Sequence, residues 1–343
     1  MRIILLFVIC FFIHVSAFSQ KQVKLFSDIY DGAIPLKGEL VNTELLNSPY
    51  YLQIADSFLL VGNNTGKVFV DVLNVNTGKI INQFGYKGRG PGEILYTHSF
   101  GQSWDKKTFW AYDIVGRKLN YYDSKKIFAG KKDVYQKTIK LDSVYVASVR
   151  QWNNNTFFST PNYDKNNDRH FLLHKMKSGK LIGAKGKYPM IEQGIPVIFK
   201  EAVYNSIFER YPRSNRVVVG HQHWDHITVY DTLFIPKVII DGPFYINLKY
   251  EASSSGTTLL SGGGIVRNLC CGPNGFIYNI TEKQRFSDGV YRYLLWLDYE
   301  GEMKKIYVLD HKISTFTVDW SKKEVYAVVV QEEEPAIYRY KLE

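Results

Sequence analysis

The chain has 343 residues, 43 of them basic and 33 acidic, for a formal charge of +10. Aromatics make up 15%, with 25 Tyr and 21 Phe, and no long apolar stripe at helical spacing is present, so composition excludes a helical bundle and favours β structure. The basic residues are scattered rather than blocked, which favours an ordinary solvated surface over a dedicated site for anionic glycans, lipopolysaccharide or an acidic partner.

The N-terminus reads Met1-Arg2, then an apolar run from Ile3 to Ile13, then small residues at Ala17 and Ser19. This pattern predicts a secretory signal peptide over 1–19, cleaved after Ser19. The apolar run is too short to span a membrane comfortably, so no transmembrane span is expected after cleavage. Cys10 lies inside that run, and Ile9 stands where lipidation wants a small residue, which disfavours a lipoprotein. The mature chain is expected to be secreted, periplasmic or associated with the outer membrane. Only Cys270 and Cys271 survive cleavage. Neighbouring cysteines rarely close a relaxed disulfide, so they read as buried small side chains. The alternative, a vicinal redox pair, lacks a charged activating neighbour in the sequence.

Downstream, one template recurs. Pro49–Ile54, Phe58–Val61, Val68–Val75 and Ile80–Phe84 read as four antiparallel strands, the third and fourth joined by the tight turn Asn76-Thr77-Gly78-Lys79. Four strands in this length make one propeller blade. A second unit reads 97–103, 108–112, 118–122 and, less clearly, 134–140. A third reads 145–151, 156–160, 170–175 and 180–184. A fourth reads 201–207, 216–221, 226–230 and 237–240. A fifth reads 264–270, 276–280, 291–298 and 304–309. The sixth has three strands only, 314–319, 324–330 and 336–340. An open sheet edge is a liability, so a strand from Val23–Val41 is expected to complete the last blade and close the ring. The expected fold is therefore an all-β, six-bladed propeller of four-stranded antiparallel blades, one domain over 20–343. An open β-sandwich pair is the alternative. Nothing assigns a role to the insert 185–200.

Between the first two units lies Phe84-Gly85-Tyr86-Lys87-Gly88-Arg89-Gly90-Pro91-Gly92-Glu93, a shaped loop by its four glycines and proline. Together with the preceding Asn-Thr-Gly-Lys turn, this run resembles the secreted six-bladed, TolB-like propellers of Bacteroidetes, and NHL-type propellers more distantly. The resemblance covers essentially the mature chain. It implies an envelope protein that binds a ligand or a partner protein. Lipoproteins are common in that family.

Strand alternation puts the loops between blades on the same face as those joining second to third strands. That face would carry Lys87, Arg89, Glu93, Arg117, Lys165, Lys283 and Arg285, with acidic Glu332-Glu333-Glu334 opposite. It is the expected binding face. The planar fork of Arg89 suits a carboxylate, sulfate or phosphate. Alternatively, Arg89 and Glu93 brace the loop internally. The segment His221-Gln222-His223-Trp224-Asp225-His226 offers three imidazoles, His221, His223 and His226, to a divalent metal. Strand geometry aligns only His221 and His223 on one face. Trp224 is a candidate for stacking on a sugar ring.

Enzyme signatures are mostly missing. The sequence has no Gly-x-Ser-x-Gly, no His-Glu-x-x-His and no phosphate loop. Some six-bladed propellers are lactonases or lyases with a metal held in the central channel by residues from separate blades, a site that leaves no local motif. Three readings stand side by side: a propeller binding a glycan, an anionic small molecule or an envelope protein; a metal-dependent hydrolase or lyase; and a structural part of an outer-membrane glycan-uptake complex. A secreted address argues against nucleic acid as partner.

Overall fold

Each repeat places short strands between turn residues, and each strand pairs with the next in sequence. The computed structural model describes the chain except residues 1–19, 43, 45, 143–145, 162–168, 188–205, 223, 244–248, 254–255, 262–265, 267, 281–290 and 331–333. Within the described residues, blade 1 is Pro49–Ala55, Phe58–Asn63, Val68–Asn74 and Lys79–Tyr86, an antiparallel meander. Its last hairpin closes as the sequence implies. Gly78 takes a positive φ of 68°, and Asn74 Oδ1 accepts the N–H groups of Asn76 at 2.9 Å and Thr77 at 3.2 Å.

Blade 2 is Thr97–Gln102, Thr108–Asp113, Lys118–Asp123 and Tyr135–Lys140. A five-residue helix, Ser124–Phe128, enters between its last two strands, with Asp123 as cap. Blade 3 is Val146–Asn153, Thr156–Pro161, Arg169–Lys175 and Leu181–Lys187. Blade 4 is Ser206–Glu209, Arg216–His221, His226–Asp231 and Pro236–Asp241. Its first strand is described from Ser206 on; the expected residues 201–205 lie outside the described residues, as does most of the 185–200 insert. A hairpin that the repeat did not call for, Lys249–Ser253 with Gly256–Ser261, comes next. Blade 5 is Leu269–Cys271, Phe276–Ile280, Tyr291–Leu297 and the first half of Met303–Asp319. The second half of that 17-residue strand opens blade 6, which continues with Glu324–Val330 and Pro335–Lys341. The expected break between units five and six is thus a change of partner within one strand.

The middle strands are apolar on both faces because each blade is packed on both sides. Leu59, Leu60 and Val61 are consecutive and fully buried. Among the described residues, six apolar clusters fill the six gaps between blades. Phe84 and Phe100 share the one between blades 1 and 2, Trp110 and Phe157 the next, and Phe158 and Phe208 the third. Val218 with Phe276 joins blades 4 and 5, and Leu294 with Phe316 joins 5 and 6. The sixth cluster packs Tyr326 and Val328 of blade 6 on Leu52 and Leu59 of blade 1, so the ring is closed.

The N-terminal arm, with strands β1 (Lys21–Lys24), β2 (Ile34–Leu36) and β3 (Glu39–Leu40), completes it. Strand β3 pairs antiparallel with Pro335–Lys341 and is the fourth strand of blade 6, as expected. The two earlier strands do more than the sequence implied. Strand β1 adds in parallel to the outer edge of blade 4, and β2 adds in parallel to the outer edge of blade 5. The arm straps three consecutive blades.

Just past β3, Asn42 Oδ1 accepts the buried N–H of Ile337 at 2.6 Å, and its Nδ2 donates to the Glu44 carbonyl at 2.9 Å. Replacing Asn42 with Ala leaves that N–H without an acceptor. Urea unfolding of Asn42→Ala should show a loss of about 1–3 kcal/mol with an unchanged slope.

Candidate functional site

The glycine-rich loop is organised by Glu93. Its Oε2 accepts the N–H of Gly90 at 2.6 Å. A Cβ on Gly88 would lie 2.0 Å from the same oxygen, so the carboxylate occupies the space a side chain would need. Tyr122 O–H donates to the Gly92 carbonyl at 2.7 Å, and Asn120 Nδ2 to that of Glu93 at 2.9 Å. Glu93 therefore braces the loop through Gly90, without Arg89. Lys87 and Arg89 lie towards solvent and make no ion pair among the described residues. Asp113 accepts the N–H groups of Leu95, Tyr96 and Gly116 at 3.1–3.3 Å. That ties this inter-blade connection to the turn bearing exposed Arg117, so the two share a face. Lys165, Lys283, Arg285, Glu332 and Glu333 lie outside the described residues.

The histidine-rich segment packs inward. His221, Trp224 and His226 are buried, with ring centroids 4.9–5.3 Å apart. His223 lies outside the described residues. Trp224, expected as a stacking platform, is wedged against the two imidazoles and has little face left for a sugar. His226 Nδ1 meets Asp241 Oδ1 at 2.7 Å, and Asp241 Oδ2 accepts from Gln22 of the arm at 3.1 Å. Burial pushes the Asp241 carboxyl up, but these hydrogen bonds outweigh it and hold the group below the usual range. Among the described residues, no three His, Cys, Asp or Glu side chains gather in a form that would hold a metal ion.

A different site opens at the centre of the ring. The innermost strands enclose a cavity of about 270 Å³ to which all six blades contribute, through Tyr51, Phe100, Arg150, Glu209, Cys270 and Thr317. Trp104 and Lys106 of blade 2, Arg210 of blade 4 and Trp320 of blade 6 also line it. They sit in or beside turns joining first to second strands, so this mouth is on the face opposite the glycine-rich loop.

Among the described residues, the inner wall holds one ion pair. Arg150 Nε donates to Glu209 Oε1 at 2.6 Å, and Tyr51 O–H donates to the same oxygen at 3.3 Å. The guanidinium also donates to the Val149 carbonyl at 3.0 Å and lies 5.2 Å from the Tyr51 ring centre. Burial works against its charge, but Glu209 outweighs burial and keeps Arg150 protonated. Burial pushes the Cys270 thiol up to about 12 and Cys271 well above its ordinary value. Both stay protonated at neutral pH, which removes the thiolate a redox pair would need.

Glutamines knit the wall together. Gln53 Oε1 accepts the N–H of Gln102 at 3.1 Å, and Gln151 Oε1 that of Trp104 at 3.0 Å. Two donors on this wall stay unused. Gln102 Nε2 and Trp110 Nε1 are buried and have no hydrogen-bond partner among the described residues. The Arg210 guanidinium lies over the rings of Trp104 and Trp152, 5.1 and 4.2 Å from their centres. It donates to the carbonyls of Ser214 and Trp152, and no carboxylate pairs with it among the described residues. None of these residues stands out in the sequence, where Arg210 is one loop cation among many.

Two outcomes are expected. Arg150→Met leaves Glu209 charged and unpaired in the channel and should cost about 3 kcal/mol, while the double variant Arg150→Met/Glu209→Leu should recover most of that, read by denaturant unfolding. The second concerns acid. His170, within 3.1 Å of Ser206 Oγ, is pushed by burial down to about 3, and burial also lowers His174. Below about pH 6.5 the unfolded chain binds protons that folded His170 refuses, so stability falls with pH down to about pH 3. The slope from His170 should reach about 1.4 kcal/mol per pH unit and flatten in His170→Asn, measured by urea unfolding at pH 7, 5.5 and 4.5.

Comparison with known proteins places the fold. No curated protein matches the chain. A putative exported protein of Bacteroides fragilis NCTC 9343 is similar in structure, with a TM-score of 0.60 at 12% identity, covering 94% of this chain and 99% of that one. A member of the DUF4221 family from Bacteroides vulgatus gives 0.57 at 11% identity, covering 90% and 96%. At these identities the likeness is one of fold. The family model described as a TolB-like 6-blade propeller matches residues 28–261, more than half of the chain. With the closed ring of six blades, this assigns the chain to the TolB-like six-bladed propeller family.

Proposed function

We propose that this is an exported binding protein that holds a small polar ligand in the channel mouth on the turn face. The observation that carries this reading is the pair of unused buried donors, Gln102 Nε2 and Trp110 Nε1, on the wall of a cavity built by all six blades. A buried donor without an acceptor costs free energy, and a ligand acceptor would recover it. Trp110 is only 2% exposed and its indole can only donate, so what answers it is an acceptor. The cavity suits binding better than catalysis. Its one lining carboxylate among the described residues, Glu209, is engaged by Arg150 and Tyr51, which leaves no acid–base pair there. Export is supported by the leader-like residues 1–19 and by the exported Bacteroides protein of the same fold.

A second reading puts a partner protein on the opposite face, where Lys87 and Arg89 make no ion pair among the described residues. The two are separated by titrating the chain from Gln20 with monosaccharides and small organic acids, monitoring tryptophan fluorescence and the thermal midpoint. A ligand of the channel raises the midpoint. Trp110→Phe and Gln102→Leu should each weaken it about tenfold while remaining folded. A ligand whose affinity ignores both variants but falls in Arg89→Ala would overturn the channel reading.

A further inference from the structure

We infer that the channel's ligand is a hydroxylated monocarboxylate whose carboxylate sits on Arg210, an inference that rests on the channel being the binding site. The charges around the cavity carry it. Arg150 and Glu209 cancel one another, and Lys106 at the rim pairs with Asp56. Arg210 remains. Among the described residues its partners are neutral carbonyls and two indole faces, and burial lowers its pKa with no carboxylate there to oppose the effect. Three of its N–H groups are taken, by Ser214 O and Trp152 O, and a guanidinium has five. Two donors and a full positive charge are therefore left on a rigidly held plane that lines the cavity.

A planar fork of that kind matches a carboxylate. One uncompensated charge answers one negative charge, which fits a monocarboxylate better than phosphate, whose charge at neutral pH is larger. Gln102 Nε2 and Trp110 Nε1 then ask for further acceptors, which hydroxyl oxygens supply. The volume, about 270 Å³, is the room of about nine waters, so the occupant is of monosaccharide size. A cyclic hexuronate and an open-chain aldonate share this chemistry.

The test is calorimetric titration of the chain from Gln20 with galacturonate, gluconate, galactose and inorganic phosphate. Galacturonate, gluconate or both should bind at least tenfold more tightly than galactose and phosphate, and whichever binds better tells a ring from an open chain. Arg210→Lys keeps a charge but loses the fork, and should weaken the acid at least tenfold with little change in thermal midpoint. Arg210→Gln should bring the acid down to the affinity of galactose. If it does not fold, the Lys variant decides. Full affinity in Arg210→Lys overturns the placement of the carboxylate. Galactose binding as tightly as galacturonate, still weakened by Trp110→Phe, overturns the acid class while the channel site stands. Tightest binding of phosphate overturns it too, as does failure of both acids to bind at millimolar concentration.

Discussion

Each blade is apolar on both sides, and that single constraint shapes the molecule. A sheet buried on both faces needs a neighbour on each, and only a closed ring gives every blade two. The packing of Tyr326 and Val328 against Leu52 and Leu59 is where the first and last blades meet that demand. The channel is a by-product of closure. Six inner strands brought around one axis leave a space whose lining comes from residues as distant as Tyr51 and Trp320.

That geometry explains what is legible in the sequence and what is not. Turns such as Asn76-Thr77-Gly78 and buried runs such as Leu59-Leu60-Val61 are local signals, and they mark nearly every strand. The closing strand β3 is reached by counting, since one blade lacks a partner. Strands β1 and β2 cannot be reached that way. They pair in parallel with outer edges more than two hundred residues away, and Lys21-Gln22-Val23-Lys24 has no pattern that names its partner. The site is harder still. Chemically conspicuous residues attract the eye, yet His221, Trp224 and His226 pack inward, with His226 held by Asp241. Glu93 reads equally as a ligand group or as a brace of its own loop together with Arg89, and it braces the loop through the N–H of Gly90 alone. Arg210 becomes distinctive only once blades 2 and 3 bring the rings of Trp104 and Trp152 against it.

The channel divides into two electrostatic regimes. Its inner wall is internally settled, with Arg150 and Glu209 neutralising each other and the two thiols held protonated by burial. Its mouth is not settled, because Arg210 is stacked and hydrogen-bonded without being neutralised among the described residues. A wall that satisfies itself gives a ligand little to bind; a rim with a stranded charge gives it a reason to stop there.

The arm has a bearing on the order in which the molecule can form. Synthesis delivers residues 21–40 early, yet the edges they join, at 236–241, 303–319 and 335–341, are made one after another more than two hundred residues later. Until blade 4 exists the arm has no edge to join, and until the final blade exists β3 has no partner and blade 1 keeps an uncovered side. Contacts between such remote segments are slow to find one another. A nascent chain of this design keeps its ring open through nearly all of its production, and the contact of first and last blades forms at the very end.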